Sequence, residues 1–192
     1  MELSDKTIGF AMCGSFCTFK RVIAAMRAIA ETGAEVIPVM SETAASTDTR
    51  FGLAADFVSE IEELTGHRVI STVKDAEPIG PRAPLDLLIV LPCTGNTLAK
   101  AAAGITDSAV TMAIKAHLRN GRPVLIGIST NDGLATAAQN IGALMTRRNI
   151  YFIPFAQDDT EKKPSSLVAL FDRTIPAAEA ALEGKQLQPV LG

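Results

Sequence analysis

Small polar residues follow several apolar runs of the sequence, and their hydroxyl, amide and backbone N–H groups suit the binding of an anion. The apolar run that ends at Leu91 is followed two residues later by the segment TGNT (94–97). Three further runs are followed by the segments CGSFC (13–17), SET (41–43) and STNDG (129–133). Hydroxyl groups and the first N–H groups of a helix bind phosphate without any arginine or lysine. These segments therefore indicate a site for a polar, phosphorylated ligand.

The same residue types also have a purely structural explanation. Serine, threonine and asparagine are the preferred N-cap residues of helices, and a cap contributes ~1 kcal/mol of stability without any ligand. Helix capping is the better explanation for any single segment. Four such segments at one edge of a sheet favour a ligand.

The sequence lacks two common nucleotide-binding motifs, and their absence narrows the class of ligand. A dinucleotide site is expected to show G-x-G-x-x-G after the first strand and an acidic residue at the end of the second. Here the first turn contains only Gly14, and the second apolar run ends in Met40 and Ser41. The sequence also contains no G-K-[ST] of a P-loop. A mononucleotide such as FMN remains, with its phosphate held by neutral hydroxyl and N–H groups.

Other residues that could do chemistry are few. His67 and His117 have no partner at a helpful spacing, and His117 is expected at a helix end or in solvent. The three cysteines, Cys13, Cys17 and Cys93, lack a nearby fourth ligand, so we expect buried, reduced thiols rather than a metal site or a disulfide. Catalysis is therefore expected to rest on a bound cofactor or on a partner subunit.

The apolar and helical patterns predict the elements that position these segments. Six runs favour strands: Thr7–Met12, Glu35–Met40, His67–Thr72, Asp86–Leu91, Val124–Ile128 and Ile150–Phe155. Helical patterns lie between them: Thr18–Thr32, Thr49–Thr65, Thr97–Ala103, Ser108–Asn120, Gly133–Arg148 and Ser165–Glu183. The alternation predicts a single α/β domain over residues 1–192, with a Rossmann-like or flavodoxin-like, doubly wound sheet of about six parallel strands. In such sheets ligands bind at the carboxyl ends of the strands, where all four polar segments are predicted to lie.

Two segments are predicted to lie outside these elements. Residues 75–86, which contain three prolines, are typical of a surface loop. Residues 157–166 are charged and favour turns, so they indicate either a solvated connector or a lid or docking segment beside the ligand site.

Composition and charge exclude several classes of protein. Hydrophobic residues make up 47% of the chain and charged residues 20%, which is ordinary for a folded globular protein. The formal net charge is −3, and no basic run suggests a nucleic-acid or acidic-membrane surface. No apolar stretch reaches the roughly 20 residues that span a bilayer, and the N-terminus has no signal-peptide pattern. We therefore expect a cytoplasmic protein with a small-molecule or protein partner.

The segment PCTGNT (92–97), followed by LAKAAAGITDSAV (98–110), resembles the signature of the flavoprotein family that includes the flavin-containing cysteine decarboxylases. In that family Pro-Ala-Ser-Ala-Asn-Thr leads into a similar Lys- and Gly-containing segment. The resemblance implies a Rossmann-like fold, bound FMN and a homo-oligomer. It assigns FMN contacts to Gly14, Ser15, Ser41, Thr94, Gly95, Asn96, Thr97 and Ser129.

A closer resemblance, to one branch of this family from spore-forming bacteria, runs along nearly the whole chain. It rests on seven segments: CGSFCT, DTRFG, LTGH, AEPIGPRAPLD, ITDS, RNGRPVLIGISTND and FIPFAQDD followed by KKP. The resemblance implies oxidation of a dihydropyridine dicarboxylate to the calcium-chelating pyridine dicarboxylate of spores, in the mother cell. It also implies an A subunit as partner, which carries the NAD(P) site that this chain lacks.

The resemblance leaves the catalytic residues open. Asn96 and Asn131 are candidates for orienting the substrate or the flavin. Arg50, or else Lys162 or Lys163, is a candidate for binding the dicarboxylate. The decarboxylases use a histidine and a Pro-x-Met-Asn-x-x-Met-Trp segment, whereas this chain has no tryptophan and carries STNDG instead. His67 is therefore a doubtful catalytic base, and a decarboxylase is the weaker alternative. The other alternative is a non-catalytic subunit that serves for binding or as a scaffold.

Overall fold

One seven-stranded sheet organises the protein. The computed structural model describes residues 2–80 and 85–192. The strands are β1 (Thr7–Met12), β2 (Glu35–Met40), β3 (Leu87–Cys93), β4 (Val124–Thr130), β5 (Ile150–Phe152), β6 (Phe155–Asp159) and β7 (Lys163–Ala169). The predicted α/β fold class is confirmed.

Helices follow most of the strands. They are α1 (Phe19–Glu31), α2 (Glu42–Ser46), α3 (Ala54–Thr65), α4 (Val73–Ala76), α5 (Gly95–Ala103), α6 (Ala109–Arg119), α7 (Ala138–Met145) and α8 (Thr174–Leu182). Short 3₁₀ turns precede α1 and α8 and follow α4. Among the described residues, none of the helices has the length and apolar character needed to cross a membrane.

The strand order is β2-β1-β3-β4-β7-β6, with β5 also paired to β4. Strands β1 to β5 pair in parallel, whereas β6 and β7 form an antiparallel hairpin. Strand β5 pairs with the first half of β4, and β7 pairs with Ser129 and Thr130 at the end of β4. The hairpin therefore lies at the carboxyl edge of the parallel strands, where the ligand site was predicted.

The core lies on both faces of this sheet. All of β3 is buried, and its side chains alternate between two apolar clusters. Leu87, Ile89 and Leu91 join the cluster that contains α1 and α8, while Leu88 and Val90 join the one that contains α6 and α7. Burial on both faces explains why the strand is an unbroken apolar run.

The strand predicted over His67–Thr72 is wrong. Only Ile70 pairs there, in a single parallel bridge to Val39, where its N–H donates to Pro38 O and its carbonyl accepts from Met40 N. The next hydrogen bond of such a ladder would need an N–H at Pro38, which a proline lacks. The pairing therefore cannot extend towards Arg68, and in the other direction β2 ends at Met40.

The α-helix predicted over Ser165–Glu183 is wrong over residues 165–173, and residues 157–166 are not a simple connector. Residues 155–169 form the β6–β7 hairpin, and helix α8 begins only at Thr174. The end of β4 has a free edge, because β5 pairs with β4 only as far as Ile126 and the next possible donor, Phe155 N, donates to Val190 O instead. Strand β7 occupies that edge, so tertiary pairing overrides the local helical pattern.

The loop predicted over residues 75–86 is helical as far as Ile79. Residues 81–84 lie outside the described residues.

Candidate functional site

Two adjoining cavities open at the carboxyl edge of the sheet. The first has a volume of about 550 Å³ and is called the Asn96 cavity. Its uncharged polar lining consists of Ser41, Thr43, Thr94, Asn96, Thr97 and Ser108. Because these residues follow β2 and β3 or lie between α5 and α6, the sheet topology brings together segments that are far apart in the sequence.

The second cavity has a volume of about 430 Å³ and is called the Ser129 cavity. Its uncharged polar lining includes Ser15, Thr18, Ser129, Thr130, Asn131 and Ser166. Gly14 and Thr94 line both cavities, so the two form one crevice. Both volumes fall within the range of ordinary ligand sites, roughly 300–1,000 Å³.

Helix α5 begins at the junction of the two cavities. The Thr94 side chain caps it by accepting a hydrogen bond from Thr97 N at 3.3 Å, and its hydroxyl donates to Thr97 Oγ1 at 3.2 Å. The N–H groups of Gly95 and Asn96 in the first turn have no acceptor within the helix. They are available to an anion, which the positive end of the helix dipole would stabilise.

Gly95 has a steric role rather than a lining role. A Cβ atom at this position would lie 2.7 Å from Thr130 Oγ1 and 2.8 Å from Asp132 Oδ1. Only glycine lets the start of α5 approach the end of β4 this closely. The glycine thus fixes the distance between the two elements that meet at the crevice.

Serine hydroxyls serve as caps and keep the capacity to bind a ligand. Ser41 Oγ accepts from Ala44 N at 3.2 Å and caps α2. Ser15 Oγ and Ser129 Oγ lie 2.8 Å apart, so one hydroxyl of this pair donates to the other. Each hydroxyl has one donor and two acceptor sites, so Ser41 and one of the pair retain an O–H for a ligand.

Two carboxylates line the Asn96 cavity, and each has a partner. Asp107 accepts a hydrogen bond from Lys100 Nζ at 2.8 Å, which holds the pKa of Asp107 below its ordinary value. Glu42 Oε1 accepts from Ala109 N at 3.2 Å, so it occupies the start of α6. The start of α5 therefore remains available to a phosphate, whereas the start of α6 is occupied by Glu42.

A buried thiol pair lies beneath the Asn96 cavity. Thr97 Oγ1 donates to Cys13 Sγ at 3.2 Å, and Cys13 also contacts Cys93. The hydrogen bond with Cys13 raises the pKa of Cys93, and burial raises it further. Hydrogen bonding by Cys93 lowers the pKa of Cys13, with burial opposing this effect and Thr97 adding to it. All three cysteines are free thiols, but only Cys13 and Cys93 are buried as predicted, whereas Cys17 is exposed.

Cationic side chains on two elements line the Ser129 cavity. Arg21 comes from α1, where its guanidinium lies 4.2 Å from the centre of the Phe171 ring. Lys163 comes from the start of β7, and its ammonium lies 3.1 Å from Asp158 Oδ2. The ion pair raises the pKa of Lys163, which therefore stays charged.

Seven of the eight residues predicted to contact FMN line the crevice, and Gly95 lies directly beside it. The candidates Asn96 and Asn131 line the first and second cavity respectively. Sequence reasoning missed Arg21 and Lys100. Arg21 lies one turn beyond Cys17 and Thr18, so its spacing on α1 was the available signal.

Two predicted catalytic candidates lie outside the crevice. His67 Nε2 lies 3.3 Å from Glu35 Oε1, at the first residue of β2 and therefore at the opposite edge of the sheet. Arg50 is exposed and lies 4.9 Å from the centre of the Phe51 ring. Neither residue lines the Asn96 or the Ser129 cavity.

His117 is in the last turn of α6, but it is buried rather than solvated, with 1% of its surface exposed. His117 Nε2 lies 2.9 Å from Pro123 O, and Nδ1 has no partner among the described residues. Burial lowers the pKa of His117 to about 4. The described residues contain no cluster of three or more His, Cys, Asp or Glu side chains that could hold a metal ion.

A model of the flavoprotein family matches residues 1–175, which is most of the chain. The chain belongs to the flavoprotein family. This flavoprotein is 48% identical over 190 residues to the B subunit of dipicolinate synthase from Bacillus subtilis strain 168, covering 99% of this chain and 95% of the relative. The resemblance seen in the sequence is therefore confirmed.

Solved structures agree with this assignment. The crystal structure of the B subunit of dipicolinate synthase from Bacillus halodurans superposes with a TM-score of 0.92 and 45% identity, covering 100% of this chain and 98% of that one. A dodecameric FMN-dependent UbiX-like decarboxylase from Escherichia coli O157:H7 superposes with a TM-score of 0.64 and 24% identity. That likeness covers 77% of this chain and 79% of the other, and it shows the shared fold.

The crevice of this flavoprotein fits FMN by its chemistry. Five of the residues that the resemblance assigns to FMN line the Asn96 cavity: Gly14, Ser41, Thr94, Asn96 and Thr97. The start of α5 and the hydroxyls suit a phosphate ester. The adjoining Ser129 cavity provides further room beside the hydroxyls of Ser15 and Ser129.

Proposed function

We propose that this flavoprotein binds FMN and, as the B subunit of a dipicolinate synthase, takes part in the oxidation of dihydrodipicolinate to dipicolinate. The observation that carries the proposal is the 48% identity over 99% of the chain to the B subunit of a dipicolinate synthase, together with a hydroxyl-lined crevice at the carboxyl edge. In this reaction the ring loses two electrons and two protons and becomes aromatic. A bound FMN would supply an acceptor for the electron pair.

The protein's own residues would bind and orient the reactants. The hydroxyls of Ser41 and Thr97 and the N–H groups at the start of α5 would hold the FMN phosphate, with Thr94 fixing the first turn. The side-chain amides of Asn96 and Asn131 would orient flavin or substrate, since each offers both donors and an acceptor. Fixed hydrogen-bond partners of this kind lower the entropic cost of bringing reactants together.

The proposal includes two kinds of partner. An A subunit is supported by the name of the Bacillus subtilis relative, which designates a B subunit. We place the NAD(P) site on that A subunit, because this chain lacks the dinucleotide motif. A homo-oligomer is supported by the dodecameric state of the Escherichia coli decarboxylase that shares the fold. By its resemblance to the Bacillus subtilis subunit, we place the complex in the cytoplasm of the mother cell of a spore-forming bacterium.

Reconstitution with FMN tests the cofactor directly. We expect the purified protein to take up one FMN per chain, with the visible absorption bands of a bound flavin and a dissociation constant in the micromolar range or below. The variant Asn96→Ala is expected to weaken uptake. A colourless protein that takes up no FMN from excess cofactor would contradict the proposal.

A second measurement tests the part in oxidation. Oxidation of dihydrodipicolinate by the A subunit is expected to accelerate when this flavoprotein is added, and to accelerate less with a variant that cannot take up FMN. Equal rates with and without the flavoprotein would exclude a role in the reaction.

A non-catalytic subunit is the second candidate, and one observation favours it. The side chains of Ser41, Thr94 and Ser108 all serve as helix caps, so the polar lining has a structural function even without a ligand. This candidate predicts that the flavoprotein binds its A subunit equally well with and without FMN, and that oxidation depends on this association alone.

A further inference from the structure

The Ser129 cavity differs in kind from the Asn96 cavity. The residues on which the family resemblance rests lie mainly around the Asn96 cavity. The Ser129 cavity is lined instead by two cationic side chains from other parts of the chain, Arg21 of α1 and Lys163 of β7. The Ser129 cavity lies beside the start of α5. It can therefore hold a second, anionic molecule while FMN occupies the Asn96 cavity.

We propose that the Ser129 cavity is a binding site for a small aromatic dicarboxylate, in which Arg21 and Lys163 select the two carboxylates. The identity of the ring rests on the proposed function, whereas the anion site rests on the cavity alone. This inference replaces Arg50 as the candidate for dicarboxylate binding, because Arg50 lies outside the crevice.

Arg21 is suited to bind a carboxylate through two parallel hydrogen bonds. Its guanidinium lies against the Phe171 ring, with 4.2 Å between the guanidinium carbon and the ring centre. Stacking on an aromatic face leaves the N–H edges of the guanidinium free for a planar acceptor. Such bidentate contacts are among the stronger hydrogen bonds in proteins.

Lys163 and neighbouring hydroxyls are suited to bind the second carboxylate. Asp158 also lines the cavity, and its ion pair with Lys163 offsets one of the two positive charges. An ammonium has three donors, so Lys163 can contact Asp158 and a ligand together. The hydroxyls of Ser129 and Ser15 lie in the same cavity and supply a further donor.

The β6–β7 hairpin therefore has a functional consequence. It places Lys163 and Asp158 over the end of β4, where Ser129 pairs with Val168 of the hairpin. Strand pairing thus brings Lys163 of the charged segment 157–166 to the ligand site, so this segment is not a loose connector.

The test is titration of dipicolinate into the FMN-loaded protein in metal-free buffer, followed by calorimetry. Wild-type protein is expected to bind dipicolinate at least about ten times more tightly than picolinate, which has one carboxylate. Arg21→Gln and Lys163→Met are each expected to weaken dipicolinate binding about tenfold or more, since each removes a charge-assisted hydrogen bond to a carboxylate. Both side chains are exposed, so the variants should fold, as circular dichroism will check.

Two further variants separate the site from its alternatives. Lys162→Met removes a neighbouring charge that lines neither cavity, so dipicolinate affinity should be unchanged. Arg50→Gln should also leave it unchanged. Unaltered affinity in Arg21→Gln and Lys163→Met, or a tenfold loss in Arg50→Gln, would overturn the inference.

The FMN affinity of each variant distinguishes this inference from the proposed function. Arg21→Gln and Lys163→Met should bind FMN as tightly as wild type. If they lose FMN instead, the Ser129 cavity holds the cofactor and the inference is wrong. If wild type takes up FMN but no dipicolinate, the inference fails while the cofactor proposal stands.

Discussion

Thr94 links helix stability to the candidate ligand site at the level of a single hydroxyl. Its oxygen accepts from Thr97 N and donates to Thr97 Oγ1, and Thr97 Oγ1 donates in turn to the buried Cys13 thiol. This chain of hydrogen bonds runs from the junction of the two cavities into the core. A substitution at Thr94 should therefore affect both stability and ligand binding.

Thr94→Ala is expected to lower the free energy of unfolding by about 1 kcal/mol, because the first turn of α5 loses its cap. It should also weaken FMN binding, since the N–H groups of that turn are held less firmly. Thr94→Ser keeps the capping oxygen and should restore most of both properties. Urea denaturation and FMN titration measure the two effects; equal stability in the alanine and serine variants would contradict the capping role.

His117 makes stability depend on pH. In the folded protein its pKa is lowered to about 4 by burial, whereas the unfolded chain takes up the proton near pH 6.5. The neutral ring thus contributes its full stabilisation above about pH 6.5, and this is lost as the pH falls towards 4. The maximal loss is about 3 kcal/mol, from 1.36 kcal/mol per pKa unit.

Urea denaturation between pH 4 and pH 7 measures this dependence. His117→Gln has no titrating ring, so its stability should change less over the same range, even if it is lower throughout. An equally steep decline in the variant would show that other groups cause the acid sensitivity.

At the scale of elements, the crevice depends on how closely α5 approaches the end of β4. Gly95→Ala should destabilise the protein by about 1–3 kcal/mol, because its methyl group would overlap the side chains of Thr130 and Asp132. Gly142→Ala is the matched control. No atom lies within 4 Å of a Cβ at Gly142 in α7, so alanine should add up to about 1 kcal/mol through helix propensity. Thermal unfolding measures the melting temperatures of both variants. Shifts of the same sign would contradict the steric role of Gly95.

The elements also show where local sequence patterns are sufficient. Strand β3 is buried on both faces, so its unbroken apolar run was a reliable signal. Segment 67–72 is rich in β-branched residues but contains only two apolar ones, and it forms a single bridge. Pro38 on the neighbouring strand lacks the N–H for the next hydrogen bond. Strand β7 was predicted as helix because nothing in its own sequence shows that the end of β4 has a free edge.

At the scale of the whole molecule, FMN should stabilise the fold by mass action. A ligand that binds only the folded chain adds about 2.7 kcal/mol at a concentration 100 times its dissociation constant. We expect the melting temperature to rise with FMN concentration, and to rise less in Asn96→Ala, which keeps the Thr94 cap. A melting temperature independent of FMN, measured by differential scanning fluorimetry, would argue against cofactor binding.

The sequence by itself determined the fold class and which polar segments meet at the candidate site. Parallel strands end at a common edge, so TGNT, CGSFC, SET and STNDG could be placed together from their position after apolar runs. Seven of the eight predicted contacts line the crevice for that reason. Glycine, serine and threonine at strand ends carry this information locally.

Only the tertiary structure decided which charged residues reach the crevice. Arg50 and His67 looked suitable in the sequence, but one lies on the surface and the other beside Glu35 at the opposite edge. Arg21 and Lys163 reach the Ser129 cavity because α1 follows the end of β1 and the hairpin pairs with the end of β4. The direction of a long side chain depends on helix phase and strand pairing between distant segments, and neither is encoded by the residues next to it.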